Sequence, residues 1–244
     1  MKKLLVLGLL GVAVLVARAD KVYTTEERHY VTPIEIALAS PLQLPCTVPY
    51  SSWRVWGIRA DLIYGRSYQV YGIDVGLSGR LYQDMAGIQA TAFNWVDGDA
   101  SGIQLGAIAN LVRGDAAGIQ AGLVNLDHGS LAGVQCGLVN YDSVFYGVQF
   151  GLVNWDGGIS YGWQVAPVNV TDNEFHGVSD GLVNVAERMH GFQIGMFNTI
   201  LSEGDGVQIG LFNSANNFEG VQLGLLNIIQ NGALPIMAFL NANF

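Results

Sequence analysis

The side chains that most often perform catalysis or bind metal are sparse in this chain. Two cysteines, Cys46 and Cys136, have no metal-ligand spacing around them, and the sequence leaves open whether they form a disulfide. None of the four histidines belongs to a Ser-His-Asp arrangement or a metal motif, and all of them lie in predicted turns or at unit edges. These histidines are His29, His128, His176 and His190. We therefore predict no enzyme activity, no cofactor and no metal site.

A unit of about 15 residues, G-[IV]-Q-x-G-L-x-N followed by a short turn, repeats almost to the C-terminus. Successive units begin 14 to 16 residues apart. Repetition at so short a period indicates one small element that is stacked or paired many times, with function spread over a surface rather than gathered in a pocket. The units begin at Gly57, Gly72, Gly87, Gly102, Gly118, Gly133, Gly147, Gly162, Gly177, Gly191, Gly206 and Gly220.

Each unit has the pattern of a β-strand. In residues 146–155, alternation places Val148, Phe150, Leu152 and Asn154 on one face, and the glycines and Gln149 on the other. Two glycines per unit and many β-branched or aromatic residues disfavour a helix. The joining segments are rich in Asp, Gly and Asn, which is typical of turns.

We favour a transmembrane up-and-down β-barrel of about 14 antiparallel strands joined by short turns. Twelve units, with residues 33–44 before them and 234–244 after them, give this even number. About 11 residues per tilted strand suffice to cross the apolar band of an outer membrane, which is about 25 Å thick. Residues 236–244 alternate and end in the aromatic Phe244, as a closing strand of such a barrel does.

The alternative is a β-solenoid with one 15-residue coil per repeat. Its equivalent residues would stack, so ten unit asparagines would form a ladder, and His176 and His190 would lie about 4.8 Å apart, close enough to share a metal ion. Hairpins would instead separate these two histidines by more than about 20 Å. Against the solenoid, Asp127, Asp142 and Asp156 would stack directly, and like charges opposite each other are destabilising.

The N-terminus and the charge composition indicate export. Residues 1–19 combine Lys2 and Lys3, an apolar stretch and the small residues of a cleavage site, which is typical of a secretory signal peptide. Cleavage there removes three positive charges from the net charge of −9 and leaves −12, so nucleic acid is an improbable partner. Charged residues make up 13% of the chain, against about 25% in ordinary soluble domains.

The repeats resemble bacterial surface-repeat proteins built from G-[VI]-Q-x-G-L-[VF]-N units, which have a signal peptide and a terminal aromatic strand. The matching stretches are residues 191–198, 206–213, 220–227 and 234–244. The resemblance covers about three quarters of the chain. It implies a location in the envelope or at the cell surface and no particular activity.

Two departures from the repeat pattern are candidate sites. Arg59, Asp61 and Asp74 have the parity of the unit glutamines, which in a barrel faces the lumen, where they would tune solute passage. Pairing of the arginine with an aspartate is the alternative, and we favour it. Pro167 and Asp180 interrupt two neighbouring units, where we expect a local strand shift or a tolerated irregularity.

The sequence thus divides into a signal peptide (1–19), an N-terminal segment with a first strand (20–56), twelve repeats (57–233) and a closing strand (234–244). We predict an outer-membrane component or small-solute pore that contacts outer-membrane lipid and the barrel-assembly machinery. For the solenoid, the corresponding function is that of a secreted or surface-attached structural or adhesive protein.

Overall fold

The structure is a computed structural model that describes residues 29–45 and 53–244. The predicted signal peptide and Cys46 lie outside these residues. The described residues form strands and no helix, which confirms the all-β prediction. They accordingly include no helix that could cross a membrane. The strands are β1 (Tyr30–Ala39), β2 (Leu42–Leu44), β3 (Trp53–Ser67), β4 (Gln69–Gly76), β5 (Ser78–Leu81), β6 (Met85–Val96), β7 (Ala100–Val112), β8 (Ala116–Cys136), β9 (Val139–Phe150), β10 (Val153–Asp156), β11 (Ser160–Val165), β12 (Val168–Asp180), β13 (Val183–Ile194), β14 (Phe197–Ile209), β15 (Phe212–Ile229) and β16 (Ile236–Asn243).

Successive repeats pair in parallel, one unit apart in sequence. Gly162 on β11 lies opposite Gly147 on β9 and Gly177 on β12, and the same in-register pairing continues between neighbouring repeats. Each repeat is therefore one coil of a β-solenoid, the alternative architecture. The antiparallel 14-stranded barrel that we favoured is wrong, because a barrel of hairpins requires neighbouring units to run in opposite directions.

The first glycine of each unit is required by the stacking. All twelve unit glycines have positive φ, between 119° and 157°, a region that other residues rarely occupy. A Cβ atom on Gly147 would lie 1.9 Å from the carbonyl oxygen of Gly133 in the preceding coil. The repeated glycine therefore allows the backbones of adjacent coils to approach closely.

A bend in each coil explains how residues of opposite parity share the interior. Sequence alternation places Gln149 and Asn154 on opposite faces of one strand, but both are fully buried. The chain bends at Gly151 and Leu152, between β9 and β10, so the inward parity changes there. Phe150 and Leu152 consequently point outward and are exposed.

The interior has an apolar half and a polar half. The apolar half contains large buried side chains such as Leu131, Phe145 and Phe175. The polar half holds the unit glutamines and asparagines, which are linked from coil to coil. For example, Asn140 accepts a hydrogen bond of 2.8 Å from Asn125 and donates one of 2.8 Å to Asn154. These amides satisfy one another, as buried polar groups must.

Each end of the solenoid finishes in a strand that runs antiparallel to its neighbour. At the N-terminal end, β1 pairs in parallel with β3, and the short β2 runs antiparallel to β1. At the C-terminal end, β16 runs antiparallel to β15 and so pairs with the last edge of the repeats. Phe244, the expected closing aromatic, is 95% exposed beyond β16. Such end strands protect the open edges that would otherwise pair with other chains.

Candidate functional site

The surface beside the Gly-Leu bend is a continuous apolar stripe, which we call the apolar edge. It consists of the outward residues that follow the unit glycines and those at the unit leucine position. Most described positions in these two columns are apolar, and many are strongly exposed. The exposed members are Ile58, Ile73, Ile88, Ile119, Trp163, Phe192, Leu62, Leu77, Leu123, Leu138, Leu152, Leu182, Met196, Leu211 and Leu225.

The opposite side of the coils, which we call the polar edge, is formed by the turns that precede the unit glycines. Exposed aspartates there connect consecutive turns: Asp99 accepts a hydrogen bond of 2.9 Å from the Asp115 amide, and Asp115 one of 2.8 Å from the Ser130 amide. These contacts, chiefly the bond from the Ser130 backbone, lower the pKa of Asp115. The solenoid is thus amphipathic, with apolar and acidic edges.

Arg59, Asp61 and Asp74 form one buried cluster. Arg59 donates to both carboxylate oxygens of Asp74, at 2.8 and 2.7 Å, and its guanidinium lies 3.0 Å from the Asp61 carboxylate. Glu35 is also buried and accepts a hydrogen bond of 2.7 Å from Ser67. The three candidates meet in the packed interior as an ion-paired group, the arrangement that we favoured over a solute-facing one.

This cluster carries more carboxyl groups than cations, and burial raises the pKa of two of these carboxyl groups. Burial raises the pKa of Glu35 to about 7, although the hydrogen bond from Ser67 and the charge of Arg59 act to lower it. Burial also raises the pKa of Asp61 to about 7, against the attraction of Arg59. Burial lowers the pKa of Arg59, but the charges of Asp74 and Asp61 outweigh it, so the guanidinium stays ionised.

The three aspartates that argued against a solenoid do stack in its interior. Asp127, Asp142 and Asp156 are fully buried and in register on neighbouring coils. Burial raises the pKa of Asp142 well above its ordinary value, and the charges of its two neighbours raise it further. Burial raises the pKa of Asp127 and of Asp156 to about 6, against hydrogen bonds that include those from unit glutamines. Protonation therefore removes the repulsion that ionised carboxylates would cause.

Pro167 and Asp180 do not shift the strands. Pro167 occupies the bend position of its coil, where Val168 alone donates to the Leu152 carbonyl, so the missing proline N–H is tolerated. Asp180 is half-buried at the end of β12, in register with Ile194. The two residues lie in the apolar edge or beside it without forming a site.

The coil that contains Asp180 also carries part of a group of titratable side chains on the polar edge. His176 on β12 and His190 on β13 stack with ring centroids 4.6 Å apart, as expected for a solenoid. The Glu174 Oε1 atom lies 2.6 Å from His176 Nε2 and 3.5 Å from His190 Nε2. Asp205 on the next coil contacts His190 Nδ1. The repeat spacing already placed the two histidines together in a solenoid, but it did not reveal Glu174 and Asp205 beside them.

Comparison with known proteins identifies no relative: no protein-family model, no curated protein and no solved structure matches the chain. Functional inference therefore depends on the surfaces and clusters described above.

Proposed function

We propose that this protein is an exported, surface-attached structural protein without catalytic activity that associates with further copies of itself through the apolar edge. The observation that carries the proposal is the continuity of this edge along the stacked coils, with exposed residues from Ile58 to Leu225. Exposed apolar surface beyond a few hundred Å² marks an interaction site in soluble proteins. The export signal expected from residues 1–19 supports a location at the cell surface.

The dimensions of the apolar edge suit a second copy. Twelve coils stacked at about 4.8 Å extend for about 55 Å, and two or three outward columns are about 14 Å wide. The resulting surface of roughly 800 Å² is about what each partner buries in a stable protein interface. Regularly spaced columns on two identical edges can interdigitate around a two-fold axis.

The charge of the chain favours a second copy over an anionic lipid surface as the partner of the apolar edge. All three lysines precede the described residues, at Lys2, Lys3 and Lys21, and the chain is acidic overall. Attachment to anionic lipid usually depends on clustered Lys and Arg near the surface. In the polar edge, Arg80 and Arg113 both pair with Asp97, at 2.9 Å each. Lipid and barrel-assembly machinery, the partners predicted for a barrel, do not follow from a solenoid.

A small-solute pore is not supported by this fold. The inward residues, including Gln135, Gln149 and Asn140, are fully buried and hydrogen-bonded to their neighbours in adjacent coils. A pore needs a lumen lined by solvated side chains. The interior instead provides the rigidity that a structural role requires.

Analytical ultracentrifugation of residues 20–244 tests the proposal. We expect a dimer or larger assembly for the wild type, and a shift toward monomer for Leu152→Lys, which places a charge in the middle of the apolar edge. His128→Lys adds the same charge on the exposed polar edge and serves as the matched control.

Two results would contradict self-association. One is a wild-type monomer at micromolar concentration. The other is that the monomer floats with phosphatidylcholine or lipopolysaccharide vesicles and that Leu152→Lys abolishes this flotation. Lipid would then be the partner of the apolar edge.

A further inference from the structure

We propose that Glu174, His176 and His190 form a binding site for a divalent transition-metal ion, best suited to Zn²⁺, on the polar edge. The ligand atoms of these three side chains all lie within 4.8 Å of one another. Two imidazoles and one carboxylate are a donor set that Zn²⁺ uses, with water in the fourth position. The proposal does not rest on self-association, because all three ligands belong to one chain.

The solenoid itself creates the constellation. Glu174 and His176 are two residues apart on β12, so they project from the same side of that strand. His190 is the register partner of His176 on β13 and is therefore carried to the same place one coil later. Tyr161 stacks on His176 with ring centroids 4.5 Å apart and supports the pair from the preceding coil.

A tetrahedral ion requires small rotations of these side chains, because the stacked imidazole planes are nearly parallel and must tilt for both Nε2 atoms to face one ion. Bonds of about 2.1 Å imply ligand atoms about 3.3 Å apart. His190 Nε2 already lies 3.5 Å from Glu174 Oε1, whereas His176 Nε2, at 2.6 Å, must move away by less than 1 Å. The three side chains are between 22% and 35% exposed, so small rotations are possible and solvent can reach the fourth position.

Neighbouring side chains also contact the three ligands. Asp205 contacts His190 Nδ1, which places the proton on that nitrogen and leaves Nε2 as the donor atom toward Glu174. A carboxylate behind a ligating histidine is a common second shell of zinc sites. Arg188 lies 3.0 Å from Glu174 Oε2 and donates a hydrogen bond of 2.7 Å to Asn173. It holds Oε2 of the glutamate, so Oε1 is the oxygen that faces both histidines.

The surroundings compensate for the positive charge of Arg188. Glu203 is the register partner of Arg188 on β14, and Asp205 is the register partner of His190. Together with Glu174, they surround the histidine pair with three carboxylates from two coils. An acidic environment of this kind concentrates cations. A bound ion would link β12 to β13, in the coil where Ser179 replaces the unit glutamine.

The test uses untagged residues 20–244, freed of metal with a chelator, in a background with Cys46→Ser and Cys136→Ser so that thiols do not bind the ion. Zn²⁺ is titrated by calorimetry, and Co²⁺ by the visible absorption of its tetrahedral complexes. We expect one ion per chain. His176→Ala and His190→Ala should abolish binding, and Asp205→Asn should weaken it by about 10- to 100-fold, as second-shell changes do.

The control is His128→Ala, which removes an exposed histidine outside the cluster and should leave both titrations unchanged. Circular dichroism checks that each variant retains its strand content, which is expected because the altered side chains are partly exposed. The proposal is overturned by a wild type that binds neither ion, or by a folded His176→Ala, His190→Ala double variant that binds as tightly as the wild type. Equal loss of binding in His128→Ala would overturn it as well.

Discussion

Asp127 and Asp142 lie opposite each other on neighbouring parallel strands, both fully buried and both bonded to the side-chain amide of Gln135. Burial and the charges of its two aspartate neighbours raise the pKa of Asp142 and so favour its protonated form, which can donate to a carboxylate beside it. Gln135 donates to both residues, at 3.0 and 3.1 Å. The stack is therefore a hydrogen-bonded column rather than a column of repelling charges.

The first prediction is that stability decreases as pH rises. The folded-state pKa values of Asp127 and Asp156 are about 6, above the ordinary 3.8, so folding favours their protonated forms. The stabilisation from these protons is fully present below about pH 3.8 and is lost as pH rises through 6. Glu35 and Asp61, with pKa values of about 7, extend the decrease to higher pH.

Each unit of pKa shift corresponds to about 1.4 kcal/mol, so the free energy of unfolding should fall by several kcal/mol between pH 4 and pH 8. Denaturant titration followed by circular dichroism at a series of pH values measures this decrease. A free energy of unfolding that is constant, or that increases over this interval, would contradict the protonated column.

The second prediction is that Asp142→Asn stabilises the protein at pH 8 and changes little at pH 4. The amide needs no proton: its nitrogen can donate to a neighbouring carboxylate, and its oxygen keeps one of the two hydrogen bonds that Asp142 accepts from Gln135 and Gln149. We expect a gain of about 1 to 3 kcal/mol at pH 8, comparable to the cost of an unsatisfied buried polar group. Asp99→Asn, the same chemical change on the exposed polar edge, should produce no pH-dependent gain in denaturant titrations.

The third prediction concerns the asparagine ladder. Asn140→Ala removes a donor to Asn154 and to the Phe150 carbonyl, and it removes the acceptor for Asn125. Because the neighbouring amides remain buried and unpaired, we expect a loss of about 1 to 3 kcal/mol in the free energy of unfolding. Asn217→Ala, at an exposed amide of the polar edge, should cost much less in the same denaturant titration.

The fourth prediction is that Gly147→Ala prevents correct stacking. Its φ is 140°, and the added Cβ would lie 1.9 Å from the Gly133 carbonyl oxygen. Gly157→Ala is the control, since the nearest atom to its Cβ, the Tyr141 hydroxyl oxygen, lies at 3.1 Å. We expect Gly147→Ala to be insoluble or to melt at a much lower temperature, and Gly157→Ala to resemble the wild type. Similar melting temperatures for the two variants would refute the close approach.

The fifth prediction concerns the C-terminus. Deleting Phe244 should leave the melting temperature unchanged, because this residue is 95% exposed and follows the end of β16. Removing residues 234–244 should promote aggregation, because it uncovers the edge of β15. Light scattering during heating distinguishes the two truncations, and a strong destabilisation by loss of Phe244 alone would argue against the cap described here.

The sequence by itself determined the period of the repeat and the strand content. It also predicted the pairing of Arg59 with aspartate, because a buried arginine among nearby carboxylates has few other partners. These features depend on short stretches of chain, where alternation and side-chain chemistry act locally.

Only the tertiary structure decided the relative direction of neighbouring strands, which side chains point into the interior, and which side chains from different coils come together. Units with period-two alternation fit a parallel or an antiparallel neighbour equally well, and the bend at Gly151 and Leu152 changes parity without altering the pattern. Stacked aspartates argued for the wrong architecture because their ordinary pKa was assumed, whereas burial beside Asp127 and Asp156 raises the pKa of Asp142 and favours its protonated form. Glu174, His176 and His190 likewise meet only because the coils stack in register, which no spacing within one unit reveals.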